Sequence, residues 1–378
     1  MLINRAVERA RLLRLPEILL RRRGEAAARA PLVVVPGMFG TLLRDRFGRV
    51  LWGTTARLYR GPPLGTAEGV TSDGIVEGMT LLPGVAHADV HGGLLRFLEA
   101  AGGYRRGEDL VTVDYDWRAG SAAGVEALAE TIHRLRGASD ERVDVFAVST
   151  GGQVVRHYLA GAAHTVRRTI YLAAPQRGTF DALACVHRGF RFAPGGKLFP
   201  GEEAALAQTV LDALPHPDDP VFVDEQGTPV PLDLYDERTW HETSLLPKPV
   251  AGLQQRLERA RAAHRALDGA LPHDAFVIGA RHRPTPARAV LVRGKARVPP
   301  PVPRSDDPFL PFSYAPGDGD LPAASLRAIP GLDDRRLWWV ETAVHARLPA
   351  HPLVHRLVLE ALLATDRHIP ATTLRNSC

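Results

Sequence analysis

The stretch Val143-Asp-Val-Phe-Ala-Val-Ser149-Thr-Gly-Gly-Gln-Val-Val-Arg-His-Tyr-Leu159 constrains the fold of this chain more than any other. Val143 to Val148 is a short β-branched run and reads as a buried strand. The run stops at Ser149, passes two glycines, and resumes with Val154, Val155, Tyr158 and Leu159 at helical spacing. A strand, a sharp turn and a helix are therefore expected, with a serine at the tip. Small residues at 147 and 151 let strand and helix pack closely around the turn. The pattern is G-x-S-x-G with Ala147 in the first glycine position. A hydroxyl standing clear of a sheet is accessible to a neighbouring base. The following helix aims its first N–H groups at negative charge developing beside the serine. Ser-x-Gly-Gly also occurs in ordinary loops, so the reading depends on what surrounds it.

The first strong run upstream is Pro31-Leu-Val-Val-Val-Pro-Gly37-Met-Phe-Gly-Thr-Leu42, wholly apolar and suited to a central parallel strand. It ends in a glycine-containing loop where backbone can approach a ligand closely. Where such a loop accompanies a serine turn, it donates one N–H to an oxyanion and the residue after the serine donates the other. Here those residues are Met38 and Thr150, through their backbones; a plain strand-to-loop turn is the alternative. Residues 43–90 read as irregular and glycine-rich. Leu94 to Ala101 predicts a helix ended by Gly102 and Gly103. Asp109 to Arg118 predicts a strand with a charged, aromatic tip, Val125 to Leu135 a helix, and Thr169 to Pro175 another strand. Strands and helices thus alternate from 31 to 175, which predicts a mostly parallel sheet covered on both faces.

The alternation breaks at Pro175. Residues 176–250 are rich in Pro and Gly and carry Phe190, Phe192, Phe199 and Trp240 with no obvious element to bury them. A long bare loop is unusual in a compact domain, so an inserted cap is expected over 176–264. Strand character returns at Asp274–Ala280, Arg288–Arg293 and Arg336–Glu341, and a helix is expected through Leu353, Leu357, Val358 and Leu362. The expected organisation is an N-terminal helix over 1–30, a core over 31–175, the cap over 176–264, and the rest of the core over 265–378.

At 45% hydrophobic and 24% charged residues the chain is an ordinary globular protein rather than a disordered one. Its net charge of +5 is carried mostly by arginine, and no basic–aromatic module for nucleic acid is present, so nucleic acid is not an expected partner. The two cysteines, Cys185 and Cys378, have no metal-ligand spacing. Free thiols in a reducing, cytoplasmic setting are expected, with no metal and no cofactor. Residues 1–30 form a basic, leucine-bearing segment interrupted at Pro16. Its arginines break up any apolar run, so neither a secretory signal nor a transmembrane helix fits. Peripheral membrane contact and packing on its own domain are both open readings.

The chain resembles the lecithin:cholesterol acyltransferase family of α/β-hydrolases. The marks are Val35-Pro-Gly-Met-Phe-Gly40, Asp114-Tyr-Asp-Trp-Arg118, Ser149-Thr-Gly-Gly152, Ala174-Pro-Gln-Arg-Gly178 and Gly317-Asp-Gly-Asp-Leu-Pro322. The resemblance implies an α/β-hydrolase fold with a mostly parallel central sheet and an inserted lid. It also implies the site order Ser…Asp…His, with Ser149 as nucleophile, Asp318 as acid, and Met38 and Thr150 as oxyanion donors. Asp116, Trp117 and Arg118 take the family's structural cluster beside the serine turn. Two departures bear on substrate range: Val148 stands where the family has His, and Asp320-Leu321 replaces Thr-Val in the acidic turn. For the base, His345 follows the last strand directly; His351 is the rival at the start of the final helix, and His355 within that helix reads as a surface residue. The expected activity is a serine hydrolase or acyltransferase on a (phospho)lipid or other hydrophobic acyl ester. Esterase or thioesterase action on non-lipid acyl groups, and a silent hydrolase-fold binding module, are the alternatives.

Overall fold

A computed structural model describes residues 29–364 apart from 67, 83–85, 138, 192–194, 247 and 270–273. Residues 1–28 of the expected N-terminal helix, Phe192, Cys378 and the segment after 364 lie outside the described residues. No helix among the described residues is long and apolar enough to cross a membrane.

Six strands form the central sheet: β1 (Leu32–Val35), β2 (Leu110–Thr112), β3 (Val143–Val148), β4 (Val166–Leu172), β5 (Asp274–Gly279) and β6 (Leu337–Trp339). Their order is β6-β5-β4-β3-β1-β2, and every neighbouring pair is parallel. Successive residues of a strand face opposite sides. Val33, Val35, Val145 and Ala147 join one core; Leu32, Val34, Phe146 and Val148 join the other. Both faces are covered, which is why β1 is wholly apolar and the inner stretches of β3, β4 and β5 carry apolar residues on both sides rather than alternating.

On the first face lie α2 (Ser121–Arg136) and α3 (Gly151–Ala162), whose Leu128, Ile132, Val154 and Val155 enter that core. On the second lie α1 (Gly92–Gly102) and α6 (Pro352–Leu363), through Leu94, Leu95, Leu98, Leu357 and Val358. Arg168 on β4 ties α6 down. Its guanidinium bonds Asp274 on β5 and donates to the carbonyls of Ala361, Leu362 and Ala364, where a helix end favours a cation.

Two stretches differ from expectation. Residues 43–90 contain a three-stranded antiparallel sheet, Thr41–Arg44, Val50–Trp52 and Thr71–Ile75, and a hairpin of Gly78–Leu82 with Ala86–Asp89. These strands are three to five residues long, and several carry bulges. That is too short and irregular for period-2 alternation to show. Between 176 and 250 the chain is helical in short pieces, α4 (Phe180–Arg188), then Gly201–Ala204, Gln208–Asp212 and Glu237–Glu242. The arginine- and alanine-rich stretch Leu253–Leu267, which reads as a helix in the sequence, forms the 14-residue α5 (Leu253–Ala266). Phe199 and Trp240, which had no visible element to bury them, are fully buried and join the core of the first sheet face. Phe222–Val223 from this stretch pairs with Ala289–Val292, which also pairs with Lys295–Arg297. The strand at 289–292 therefore stands outside the central sheet, in a small sheet shared across position 264.

Candidate active site

The serine turn is built by close approach. Ser149 sits at φ 50°, a left-handed backbone that a non-glycine residue rarely holds without surrounding structure to enforce it. Its N–H donates to the carbonyl of Leu172 at the end of β4. A Cβ on Gly151 would lie 2.6 Å from both the Val35 and the Pro36 carbonyl oxygens, and one on Gly37 would lie 2.7 Å from the Val148 oxygen. The ends of β1 and β3 thus touch backbone to backbone, and glycine is required at both positions.

The loop after β1 is a tight turn closed by Gly40 N–H on the Gly37 carbonyl, with Phe39 at φ 67°. Aromatic packing holds that strained residue. Its ring meets Trp117 edge-on at 4.6 Å and lies 5.5 Å from Trp52, whose indole N–H donates to the Phe39 carbonyl at 2.8 Å. Behind Trp117, the fully buried Arg118 forks onto Asp116 through Nε and NH2 at 2.9 and 2.7 Å. Its NH1 donates to the carbonyls of Pro63 and Gly65. A buried guanidinium needs this full set of partners, and the set fastens the 61–65 segment beside the turn.

Ser149, His345 and Asp318 stand in one hydrogen-bonded row. Ser149 Oγ lies 3.2 Å from His345 Nε2, and His345 Nδ1 lies 2.8 Å from Asp318 Oδ2. His345 opens a short turn of 3-10 helix after β6, and its backbone N–H donates to the Asp318 carbonyl, so side chain and main chain are both registered to the acid. Asp318 is fully buried; its other oxygen accepts the N–H groups of Leu321 and Asp320 at 2.7 and 3.1 Å. Gly319 passes this turn at φ 107° and donates its N–H to Thr285 Oγ1.

The competing residues do not join this row. Asp320 gives only its backbone N–H to the acid. His351 caps α6, its Nδ1 accepting from Leu353 N–H, and its Nε2 lies 3.2 Å from Thr342 Oγ1. His355 is buried rather than on the surface: Nε2 bonds the Pro349 carbonyl and the ring packs 5.7 Å from Phe97. A polar helix residue gives no sequence sign of such a partner.

Met38 and Thr150 are brought together as well, but not as two free amides. The Met38 N–H donates to the Thr150 hydroxyl at 2.7 Å.

His345 is held above the ordinary imidazole pKa. Loss of water pulls it down, but the charge and hydrogen bond of Asp318, with Asp320 and Asp181 behind, outweigh this and raise it to about 9. Asp181, in the first turn of α4, was not singled out by sequence because nothing local marks it. Burial first, then Asp320, raises its pKa, against Arg188, the Cys185 thiol and His345. No cluster of three or more His, Cys, Asp or Glu side chains arranged to hold a metal ion is found among the described residues.

A parallel sheet with a strained serine between strand and helix, and a histidine and an acid arriving from later loops, defines an α/β-hydrolase. Within that class, the chain is similar to the lecithin:cholesterol acyltransferase family, whose profile matches residues 87–201. One solved structure supports the fold, and others align more loosely. The crystal structure of the Tle4–Tli4 complex aligns over 89% of this chain and 98% of that one, with a TM-score of 0.57 and 12% identity. The Bacillus licheniformis lipase BlEst2 aligns over 89% and 93%, with a TM-score of 0.42 and 12% identity. Phospholipase PlaB from Legionella pneumophila aligns over 90% and 61%, with a TM-score of 0.40 and 11% identity. No curated protein matches the chain.

Proposed function

We propose that the protein is a serine hydrolase or acyltransferase acting on esters of hydrophobic acyl groups, with Ser149, His345 and Asp318 as its triad. The observation that carries this reading is the hydrogen-bonded row from Ser149 Oγ through both nitrogens of His345 to the buried Asp318. Asp318 accepts the Nδ1 proton and leaves Nε2 as an acceptor facing the hydroxyl. Ser149 Oγ attacks the acyl carbonyl as its proton passes to Nε2; the same proton then leaves with the alcohol. Water, or the hydroxyl of a second lipid, takes the acyl group from Ser149 by the reverse path.

A hydrophobic acyl chain is supported by the family similarity, and an aromatic cluster stands beside the loop after β1. Phe39 follows Met38 directly and lies 6.1 Å from Phe190, which stacks on Phe199 at 5.4 Å. Residues 176–264 serve as the cap in this reading. They supply Phe190 and Asp181, and Thr179 reaches over to the Asp320 carbonyl with its hydroxyl. A fluorophosphonate probe tests the proposal. It should label the wild-type protein stoichiometrically and leave Ser149→Ala unlabelled, and hydrolysis of p-nitrophenyl esters should improve with acyl length. A folded wild-type protein that neither labels nor hydrolyses any ester would leave the silent binding module as the better reading.

A further inference from the structure

The Thr150 hydroxyl occupies an unusual place. Thr150 stands at the N-cap of α3, where a threonine side chain ordinarily accepts an N–H from its own helix. It makes no such bond. Its Oγ1 instead accepts the N–H of Met38, 112 residues away, at 2.7 Å. A hydroxyl has one proton to give besides the lone pairs it accepts with. No acceptor for that proton is present among the described residues, although Thr150 is only 6% exposed. A nearly buried donor without a partner is costly unless something else takes its hydrogen bond.

We propose that the Thr150 hydroxyl is itself a donor to the oxyanion, polarised by the Met38 amide behind it. This deepens the hydrolase reading and rests on it. Two residues would then supply a relay rather than two parallel amides. Met38 N–H bonds Thr150 Oγ1, and Thr150 Oγ1–H and the Thr150 backbone N–H face the carbonyl oxygen of the ester. When the Ser149 Oγ–carbon bond forms, the carbonyl π pair moves onto that oxygen and the serine proton goes to His345 Nε2. The oxyanion accepts hydrogen bonds but no proton, and it returns the pair when the alcohol leaves. A donor that already accepts a hydrogen bond gives a stronger one. Its place at the start of a 12-residue helix adds the favourable end of the helix dipole. Met38 is then a positioning residue, acting through the hydroxyl.

The two arrangements differ in what happens when the hydroxyl is replaced by a methyl group. Thr150→Val keeps shape and branching but removes the relay and leaves the Met38 N–H free. Loss of one oxyanion donor costs about 10² to 10³ in kcat. Thr150→Val should therefore lower kcat on a p-nitrophenyl acyl ester by about 10²-fold with KM little changed, and Thr150→Ser should recover most of it. Circular dichroism and thermal melting of all three proteins report folding independently. Thr150→Val as active as wild type, or more so, would show that the Met38 amide is the donor and the hydroxyl only obstructs it. An equal loss in Thr150→Ser would assign the effect to packing of the methyl group. Either result overturns the relay while fluorophosphonate labelling of Ser149 still stands. A wild-type protein that does not label removes the hydrolase reading itself.

Discussion

Replacing Asp318 by asparagine tests the site through a single proton. One oxygen of Asp318 faces His345 Nδ1 at 2.8 Å, and the other accepts two backbone N–H groups, from Leu321 at 2.7 Å and Asp320 at 3.1 Å. An asparagine has one acceptor oxygen to offer. With the oxygen on His345, its NH2 would face two N–H donors inside a fully buried turn. Two donors left unsatisfied cost about 1–3 kcal/mol each. With the oxygen on the backbone groups, only His345 is inconvenienced, and a neutral imidazole can change tautomer. The amide is therefore expected with its NH2 toward Nδ1. His345 would then carry its proton on Nε2, facing Ser149 Oγ, where an acceptor is needed. An imidazole locked in the wrong tautomer lowers kcat by about 10⁴-fold in a triad. Steady-state hydrolysis of a short p-nitrophenyl ester would read that loss, with a melting curve to show that the fold persists. Asp320→Asn and His351→Ala are the controls and should keep most activity, since neither side chain touches Ser149 or Nδ1 of His345. A tenfold loss or less in Asp318→Asn, with Asp320→Asn or His351→Ala inactive, would refute the tautomer argument and the acid and base chosen here.

Two further outcomes follow from the same geometry. His345 is raised from 6.5 to about 9, so the neutral base grows as pH rises and kcat/KM should climb across that window. The raised imidazolium contributes stability that is complete below the unfolded pKa and lost as pH passes the folded one, so the melting temperature should fall over the same range. Asp320→Asn, by removing one raising charge, should move the rising limb to lower pH in a pH–rate series; an unmoved limb would mean that Asp320 does not act on His345. Gly151→Ala places a methyl carbon 2.6 Å from two strand carbonyls. About 1–3 kcal/mol of overpacking, set against the roughly 1 kcal/mol that alanine gains in a helix, should leave a modest net loss in urea unfolding. The displaced Ser149 should lose about 10²-fold in activity, since a misplacement on the order of 1 Å is enough. Unchanged activity would show that β1 and the serine turn can separate freely.

Local chemistry makes much of this protein legible in its sequence. β3, the turn at Ser149 and α3 were visible because each needs a residue type that sequence displays: a β-branched run, small residues at the crossing, and apolar residues at helical spacing. The central strands were visible for a similar reason: β1, β3, β4 and β5 are buried on both faces and so carry apolar runs such as Leu32–Val35 and Val145–Val148. The 14-residue helix Leu253–Ala266 was visible too, whereas the strands of residues 43–90 and the short helices between 180 and 242 were not. Those elements are too brief for a period to appear, and the burial of Phe199 and Trp240 depends on partners far along the chain. The site divides the same way. Candidates could be named from sequence, but Ser149 and His345 are 196 residues apart and Met38 and Thr150 are 112 apart. Whether His345 or His351 faces the serine, and whether Asp318 or Asp320 faces the imidazole, depends on which loop ends meet at the edge of the sheet. The donation of Met38 N–H to the Thr150 hydroxyl has no sequence signature. A hydrogen bond is fixed by distance and direction between two atoms, and only the packing of β1 against the serine turn sets those.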